Sequence, residues 1–372
     1  MSVRWSLPRS LFSVACFAVV LAGCGYTGLP ARVPAVRTYD GTASVGDFVT
    51  ISIDSTARTI TYSDPTSGLS GTVPYTVNED GSYAITDPHG NLLIGYEVPD
   101  YVFLVEAAKA GQLANTPALI TAFETAPVTI ASFAGKNFNY IQFRTAAGGV
   151  DIGTISIDAM ADFQHTSYSP FALISGDGYF SPESFTAASV TEDPSGDFFT
   201  ITEQDSTKDV VFGTQKGLWA MDTPNGAILG LPKAVSKEFD PSVVGAYAGL
   251  YYEKAGAQTL GNNAETGMPS QGKGGVTVST DGSITITDSS GAALATGALV
   301  PVAAAPYLYN GTQSELPDPC FGLFTVRTQT ANSLQDVFVS FQGNAVLFAS
   351  FQSALPGQTT NTYTYFYGVG LR

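Results

Sequence analysis

Apolar and polar residues alternate with a period of two along most of the chain after Tyr39. In Phe48–Ile53 and in Tyr363–Leu371, every second residue is apolar or aromatic, so one side of each segment is apolar. Thr, Val, Tyr and Phe dominate such segments, and Gly, Asp, Asn, Pro and Ser separate them. This alternation is typical of short antiparallel strands joined by tight turns. The pattern predicts a mainly β protein.

Weaker versions of the same pattern predict further strands at 59–62, 151–158, 198–202, 337–341 and 345–351. Helical signals are few. The segment 106–111 ends at a glycine, and 118–124 follows Thr116-Pro117, which offers an N-cap and a first-turn proline. We predict that these two segments form short connecting helices.

An internal repeat relates two distant parts of the chain. Thr76–Gly90 and Thr277–Gly291 match at nine of fifteen positions, at a constant offset of 201 residues. Each copy has an Asp-Gly turn, a short strand with isoleucine, and a second Asp/Gly turn. Two explanations are open: duplication of a whole β domain, or convergence on common hairpin chemistry. We favour duplication, with the boundary near Lys237–Pro241.

The expected fold is therefore two antiparallel β-sandwich or small, calyx-like β-barrel domains with short connecting helices. We predict that the first covers residues 39–237 and the second residues 243–372. The segment 131–237 is either a third domain or part of the first. We assign it to the first, because the residues before it have too few predicted strands to close a sandwich or barrel.

The start of the chain has a different pattern. Arg4 and Arg9 precede an apolar run, Leu11–Val20, which is too short to span a bilayer. Leu21-Ala22-Gly23-Cys24 follows directly. These residues resemble the lipobox of bacterial lipoproteins, which implies that residues 1–23 are a signal peptide and that Cys24 carries a diacylglycerol. The alternative is an ordinary secretory signal peptide, which would also export the protein.

The resemblance implies a location in the cell envelope. The residue after Cys24 is Gly25 rather than aspartate, which under the well-known sorting rule implies delivery to the outer membrane. Residues 24–38 contain glycines and prolines and little periodicity, so we predict a flexible tether after the lipidated cysteine. We expect Arg32 and Arg37, within this tether, to lie near lipid phosphates.

Charge and cysteine content narrow the possible partners. The chain has 372 residues, with 16 basic and 32 acidic ones; without residues 1–23, which hold two arginines, the net charge is −18. Such a charge disfavours nucleic acid as a partner. Beyond Cys24 only Cys320 remains, so no internal disulfide is expected, and we predict a buried thiol.

No catalytic, metal or cofactor motif is complete. His165 has Asp162 and Ser167 nearby, but neighbours in sequence do not make a catalytic triad, and we predict that His165 and His89 lie in surface loops. The segment 267–274 nearly matches a phosphate-binding loop but lacks its Ser/Thr. We therefore expect no cofactor and no metal.

Two acidic groups remain, and both suit either calcium binding or glycoside hydrolysis by a carboxylate pair. They are Glu192, Asp193 and Asp197, and Glu203, Asp205 and Asp209. We expect solvated turns in both, so Cys24 is the only predicted site residue.

The sequence thus predicts a non-catalytic, lipid-anchored lipoprotein that binds a ligand or partner or has a structural role in the envelope. Its predicted partners are membrane lipid, through Cys24, and an unknown protein or glycan. The alternative is an extracytoplasmic hydrolase of glycans or envelope material, which two carboxylates in one cleft would favour.

Overall fold

The computed structural model describes residues 33–65, 68–107, 118–144, 150–168, 180–214, 216–224, 226–234, 236, 238–259, 262–265, 270–302, 307–309, 312–314, 321–329, 333–354 and 361–372. The protein is mainly β, as the alternating pattern predicts. Residues Ala35–Arg372 form one unit, built from three large antiparallel sheets in chain order and one short hairpin. Among the described residues, no helix is long and apolar enough to cross a bilayer.

The first sheet is a closed barrel of eight strands in sequence order. It closes because β1 pairs with β8 as well as with β2. Its strands are β1 (Val36–Ala43), β2 (Phe48–Asp54), β3 (Thr59–Asp64), β4 (Leu69–Val77), β5 (Tyr83–Thr86), β6 (Leu92–Val98), β7 (Val102–Ala107) and β8 (Ala118–Glu124).

The barrel corrects three expectations. Residues 118–124 form strand β8 rather than a helix, because pairing with β1 and β7 outweighs the local capping signal. Glu106 and Ala107 end β7 rather than starting a helix; the rest of that predicted helix lies outside the described residues. Eight strands before residue 125 also close a barrel without the segment 131–237, so our reason for joining that segment to the first domain was wrong.

The second sheet follows a single-turn helix, α1 (Ile130–Phe133), and has nine strands. Its first strand, β9, pairs with its last, β17, in the middle of the sheet. The strands are β9 (Asn137–Arg144), β10 (Val150–Ile157), β11 (Phe163–Tyr168), β12 (Phe180–Phe185), β13 (Ser189–Glu192), β14 (Phe199–Thr202), β15 (Lys208–Gly213), β16 (Trp219–Thr223) and β17 (Gly226–Pro232).

The third sheet follows a 3₁₀ turn, η1 (Pro241–Val243), and again pairs its first strand, β18, with its last, β29. Strand β19 pairs with β18 alone, and β24 and β25 form the separate hairpin. The strands are β18 (Gly245–Thr259), β19 (Asn262–Glu265), β20 (Ser270–Val278), β21 (Ser283–Thr287), β22 (Ala293–Ala298), β23 (Val300–Pro301), β24 (Tyr307–Tyr309), β25 (Thr312–Ser314), β26 (Leu323–Gln329), β27 (Ser333–Gln342), β28 (Ala345–Ala354) and β29 (Asn361–Leu371). The two-domain division at 237–243 stays a prediction.

The two copies of the sequence repeat form the same local hairpin. The Ser82 amide and hydroxyl donate to Asp80 Oδ1 at 3.0 and 2.6 Å, and those of Ser283 donate to Asp281 Oδ1 at 2.9 and 2.7 Å. The first copy joins β4 to β5, the fourth and fifth strands of the barrel, whereas the second joins β20 to β21 near one end of the third sheet. Duplication of a whole domain therefore stays a prediction.

Each sheet encloses its own apolar core, and a fourth core joins all three. In this shared core, Phe212 of β15 lies beside Phe48 and Phe123 of the barrel, with ring centroids 5.5 and 5.9 Å apart. Phe338 and Leu347 of the third sheet belong to the same cluster. The sheets are therefore held together by apolar burial as well as by their connections.

We predict that Phe212→Ala lowers the free energy of unfolding by about 3–5 kcal/mol, because it leaves a cavity where the barrel meets the second sheet. Urea unfolding followed by circular dichroism measures this. Met160→Ala, at a side chain that is 70% exposed, is the control and should stay within about 0.5 kcal/mol of the wild type. Equal stabilities of the two variants would contradict the shared core.

Candidate functional site

The described strands of the barrel fill its interior with their own side chains. Tyr39, Tyr75, Tyr83 and Phe103 are buried there among isoleucines and valines. The Tyr75 and Tyr83 rings stack with centroids 4.5 Å apart. These side chains occupy the space that would hold a ligand in a calyx, which leaves the outside of the barrel for a binding site.

A buried ion pair lies among these interior side chains. Arg37 Nε and Nη2 donate to Glu97 Oε1 and Oε2 at 2.6 and 2.7 Å, and the two side chains are 5% and 1% exposed. The Tyr39 hydroxyl donates to Glu97 Oε1 at 2.6 Å, and the Tyr83 hydroxyl donates to Oε2. Burial and the Glu97 carboxylate raise the pKa of both tyrosines, which keeps them as donors.

This pair corrects the expectation that Arg37 belongs to a tether near lipid phosphates. Arg37 lies in β1 and points into the barrel, where the hydrogen bonds to Glu97 raise its pKa further above its usual range. The predicted tether therefore ends before Val36, since Val36–Thr38 belong to β1. Cys24 and residues 25–32 lie outside the described residues.

A groove runs over the outer face of β1, β2 and β3. Its volume is about 290 Å³. Six hydroxyl side chains and two carboxyl groups line it, together with Tyr39, Ile51 and Tyr62 of the same strands: Thr38, Thr50, Ser52, Thr61, Ser63, Thr125, Asp40 and Asp197. The outer face is polar because alternate residues of β1 face opposite ways, with Arg37 and Tyr39 inside.

The second sheet forms one wall of the groove. Asp197 lies in the turn between β13 and β14, and the carbonyl of Gly196 in that turn accepts a 2.7 Å hydrogen bond from the Val128 amide. The Thr125 amide donates to the Thr38 carbonyl at 2.9 Å. The linker after β8 therefore holds this turn beside the barrel.

Asp40 is the unusual group in the groove. Its side chain is buried, with the residue only 5% exposed. Burial, which is opposed by a hydrogen bond with Thr125 and reinforced by the nearby carboxylates of Asp197 and Asp193, raises the pKa of Asp40 to about 7. A carboxyl with this pKa exists in both protonation states near neutral pH, so it is able to donate or accept a proton.

The other sequence candidates have the following positions in the fold. His165 and Ser167 lie in strand β11, so the prediction that His165 lies in a surface loop was wrong, whereas His89 is exposed in the turn after β5, as expected. The Asp162 carboxylate accepts a hydrogen bond from the Ala187 amide at 3.1 Å. Cys320 lies outside the described residues.

The structure describes only part of the segment that resembles a phosphate-binding loop. Residues 266–269 lie outside the described residues, whereas Lys273 lies in β20, where its Nζ donates to Asp80 Oδ2 at 2.8 Å. This lysine therefore ties the first copy of the repeat to the strand that begins the second.

The two acidic groups differ in environment. Asp197 of the first lines the groove. In the second, Asp205 is exposed but Asp209 is only 1% exposed, which corrects the expectation of a solvated turn. Burial and the nearby Glu203 raise the pKa of Asp209. Within the described part of the chain, no three His, Cys, Asp or Glu side chains are grouped so as to hold a metal ion.

No protein-family model and no curated protein matches this chain. Among solved structures, it is similar to a double mutant of Transferrin Binding Protein B from Haemophilus parasuis, with 9% identity, a TM-score of 0.26, and coverage of 91% of this chain and 77% of that one. For isotype 1 Transferrin binding protein B from serogroup B Neisseria meningitidis, the identity is 10% and the TM-score 0.19, with 91% and 77% coverage. At TM-scores this low, the likenesses carry no information about what this chain binds.

We predict that Glu97→Gln lowers the free energy of unfolding by about 3–5 kcal/mol, because it leaves the Arg37 charge buried and sets an amide donor against guanidinium donors. Thermal and urea unfolding measure the loss. Asp80→Asn is the matched control, since the Asp80–Lys273 pair is 50% and 37% exposed and should contribute less than about 1 kcal/mol. A Glu97→Gln protein as stable as the control would show that the buried pair does not hold the barrel.

Proposed function

We propose that this protein is a lipid-anchored lipoprotein of the bacterial cell envelope, held at the outer membrane through Cys24, and that it binds a ligand through the outer groove of its barrel. The lipobox-like residues 21–24 support the anchor. The groove, with six hydroxyl side chains around the buried Asp40, is the observation that carries the binding function.

The chemistry of the groove favours a glycan as the ligand. Hydroxyl side chains both donate and accept hydrogen bonds, and carboxylates accept from pairs of hydroxyls. A sugar presents the same groups in return. The carboxyl groups of Asp40 and Asp197 also favour a glycan that carries a positive charge, such as an amino sugar.

A hydrolase is the second candidate, and one observation favours it. Asp40 and Asp197 line the same groove, and a carboxyl with a raised pKa beside another carboxylate is the arrangement that glycoside hydrolases use for acid and base catalysis. In that case Asp40 would protonate the leaving oxygen, and Asp197 would act on the opposite side of the glycosidic bond.

We predict that Cys24→Ala abolishes lipidation and membrane retention, because the thiol is the acyl acceptor in the proposed anchor. Labelling of cells with palmitate, followed by membrane fractionation, tests this. Cys16→Ala is the control, since Cys16 belongs to the segment that is removed, and this variant should stay labelled and in the membrane. A Cys24→Ala protein that still takes up label or sediments with membranes would place the anchor elsewhere.

We predict that Ser63→Trp weakens glycan binding at least about tenfold, because an exposed serine on the groove becomes a ring that fills it. Glycan-array screening followed by calorimetry measures the affinity. Thr76→Trp, on the outer face of β4 away from the groove, should bind as the wild type does. If both variants lose affinity equally, or if neither loses affinity, the groove is not the binding site.

The same preparation separates the two candidate functions. If the bound glycan is cleaved by the wild type but stays intact with Asp40→Asn, while binding persists, the protein is a hydrolase. If the wild type binds the glycan and releases no product, the binding function stands alone.

A further inference from the structure

The barrel also meets the second sheet at the turn between β1 and β2. A Cβ atom added to Gly46 in this turn would lie 2.3 Å from the Thr223 carbonyl oxygen and 2.8 Å from the Gly226 amide nitrogen. Gly46 also has a φ of 89°, which favours glycine. The turn therefore packs against the start and end of the β16–β17 connection with no room for a side chain.

Buried carboxyl groups lie at this contact. The Thr42 hydroxyl of β1 donates to Asp222 Oδ1 of β16 at 2.5 Å, and Asp222 is only 6% exposed. Asp47, at the end of the turn, is 3% exposed, and its Oδ2 has no hydrogen-bond partner in the described part of the chain. Asp64 is buried at the end of β3.

The neighbouring charges that raise the pKa of Asp222 are carboxylates. They belong to Asp47, Asp209 and Asp64, and Asp209 in turn faces Glu203 and Asp205. The third sheet contributes the Tyr367 hydroxyl, which is hydrogen-bonded with Ser44 of the turn and whose pKa is raised by burial. By backbone register, Arg144 of β9 lies opposite Gly226, on the strand beyond β17.

Burial beside other carboxyl groups favours the neutral acids. Burial raises the pKa of Asp222 well above its usual range, and the Thr42 hydrogen bond opposes this only in part. Burial and the neighbouring Asp64 raise the pKa of Asp47 to about 6. In the unfolded chain both groups would ionise near pH 4.

The raised pKa values make the free energy of unfolding depend on pH. Between about pH 4 and their pKa values in the folded protein, these groups hold protons that the unfolded chain releases, so the free energy of unfolding falls as pH rises through this window. Ionisation of Asp47 and Asp222 would place two desolvated negative charges between the Gly46 turn and β16. Their repulsion acts to separate the barrel from the second sheet at this point.

We propose that the contact between the β1–β2 turn and β16 is a pH-sensitive joint, which is closed while its buried carboxyl groups are protonated and loosens as they ionise. The joint does not rest on the proposed function, and its test needs no ligand.

Hydrogen exchange of the full chain in detergent, followed by mass spectrometry, tests the joint. The turn offers protected amides as probes: Ala43 donates to Asp47, Ser44 to Leu119, and Gly46 to Ala43. After correction for intrinsic rates, we expect these amides to exchange at least about tenfold faster at about pH 8 than at about pH 5.5.

Asp47→Asn supplies the decisive variant, because the pKa of Asp47 is about 6, between the two pH values, and the amide has the shape of the protonated acid. We expect it to keep the protection of the turn at the higher pH. Asp281→Asn, in the exposed turn of the third sheet, is the control and should keep the wild-type pH dependence. If Asp47→Asn fails to fold, Asp222→Asn takes its place, since its amide oxygen still accepts from Thr42. Equal wild-type protection at the two pH values would overturn the joint, as would an unchanged pH dependence in the folded asparagine variant.

Discussion

The register of strand β1 is the constraint on which both the barrel and its surroundings depend. It pairs with β2 from Val36 to Thr42 and with β8 from Tyr39 to Ala43, and so closes the barrel. Because alternate residues face opposite sides, Arg37 enters the barrel while Asp40 and Thr42 face outward. A slip of one residue would place Asp40 in the apolar core and Arg37 outside. The ion pair therefore fixes the same register that builds the groove and the joint.

The two sides of β1 bury carboxyl groups in different ways. Inside the barrel, Glu97 receives two hydrogen bonds from Arg37 and one from each of two tyrosines, so its charge is matched by donors. At the joint, Asp222 receives a hydroxyl donor and faces other carboxyl groups. The donors around Glu97 satisfy its oxygens, whereas burial beside other carboxyl groups favours the protonated form of Asp222. Asp40 and Asp222, whose pKa values are raised, both lie on the outer side of the strand.

The sequence predicted the strands whose alternation is clear and missed strand β8, where the alternation is lost. Phe48–Asp54 and Asn361–Leu371 are strands, as their alternation predicts. Strand β8 is buried along most of its length, so its alternation is lost and the Thr-Pro signal before it suggested a helix. Arg37 was missed because we began the β pattern at Tyr39, although Arg37 and Tyr39 already alternate with Thr38 and Asp40. Closure of the barrel depends on β1 pairing with β8, which no local pattern encodes.

The groove and the joint could not be predicted from the sequence, because each brings together residues that lie far apart in the chain. Asp40 meets Asp197 in the groove, and Thr42 meets Asp222 at the joint. On β1, however, Asp40 and Thr42 lie on the same face about 7 Å apart. Within that distance, and at low dielectric, a proton gained or lost at Asp40 changes the potential at the Thr42–Asp222 contact. A cationic ligand that keeps Asp40 ionised would therefore be coupled to the joint, and the energy of that coupling would act equally in both directions.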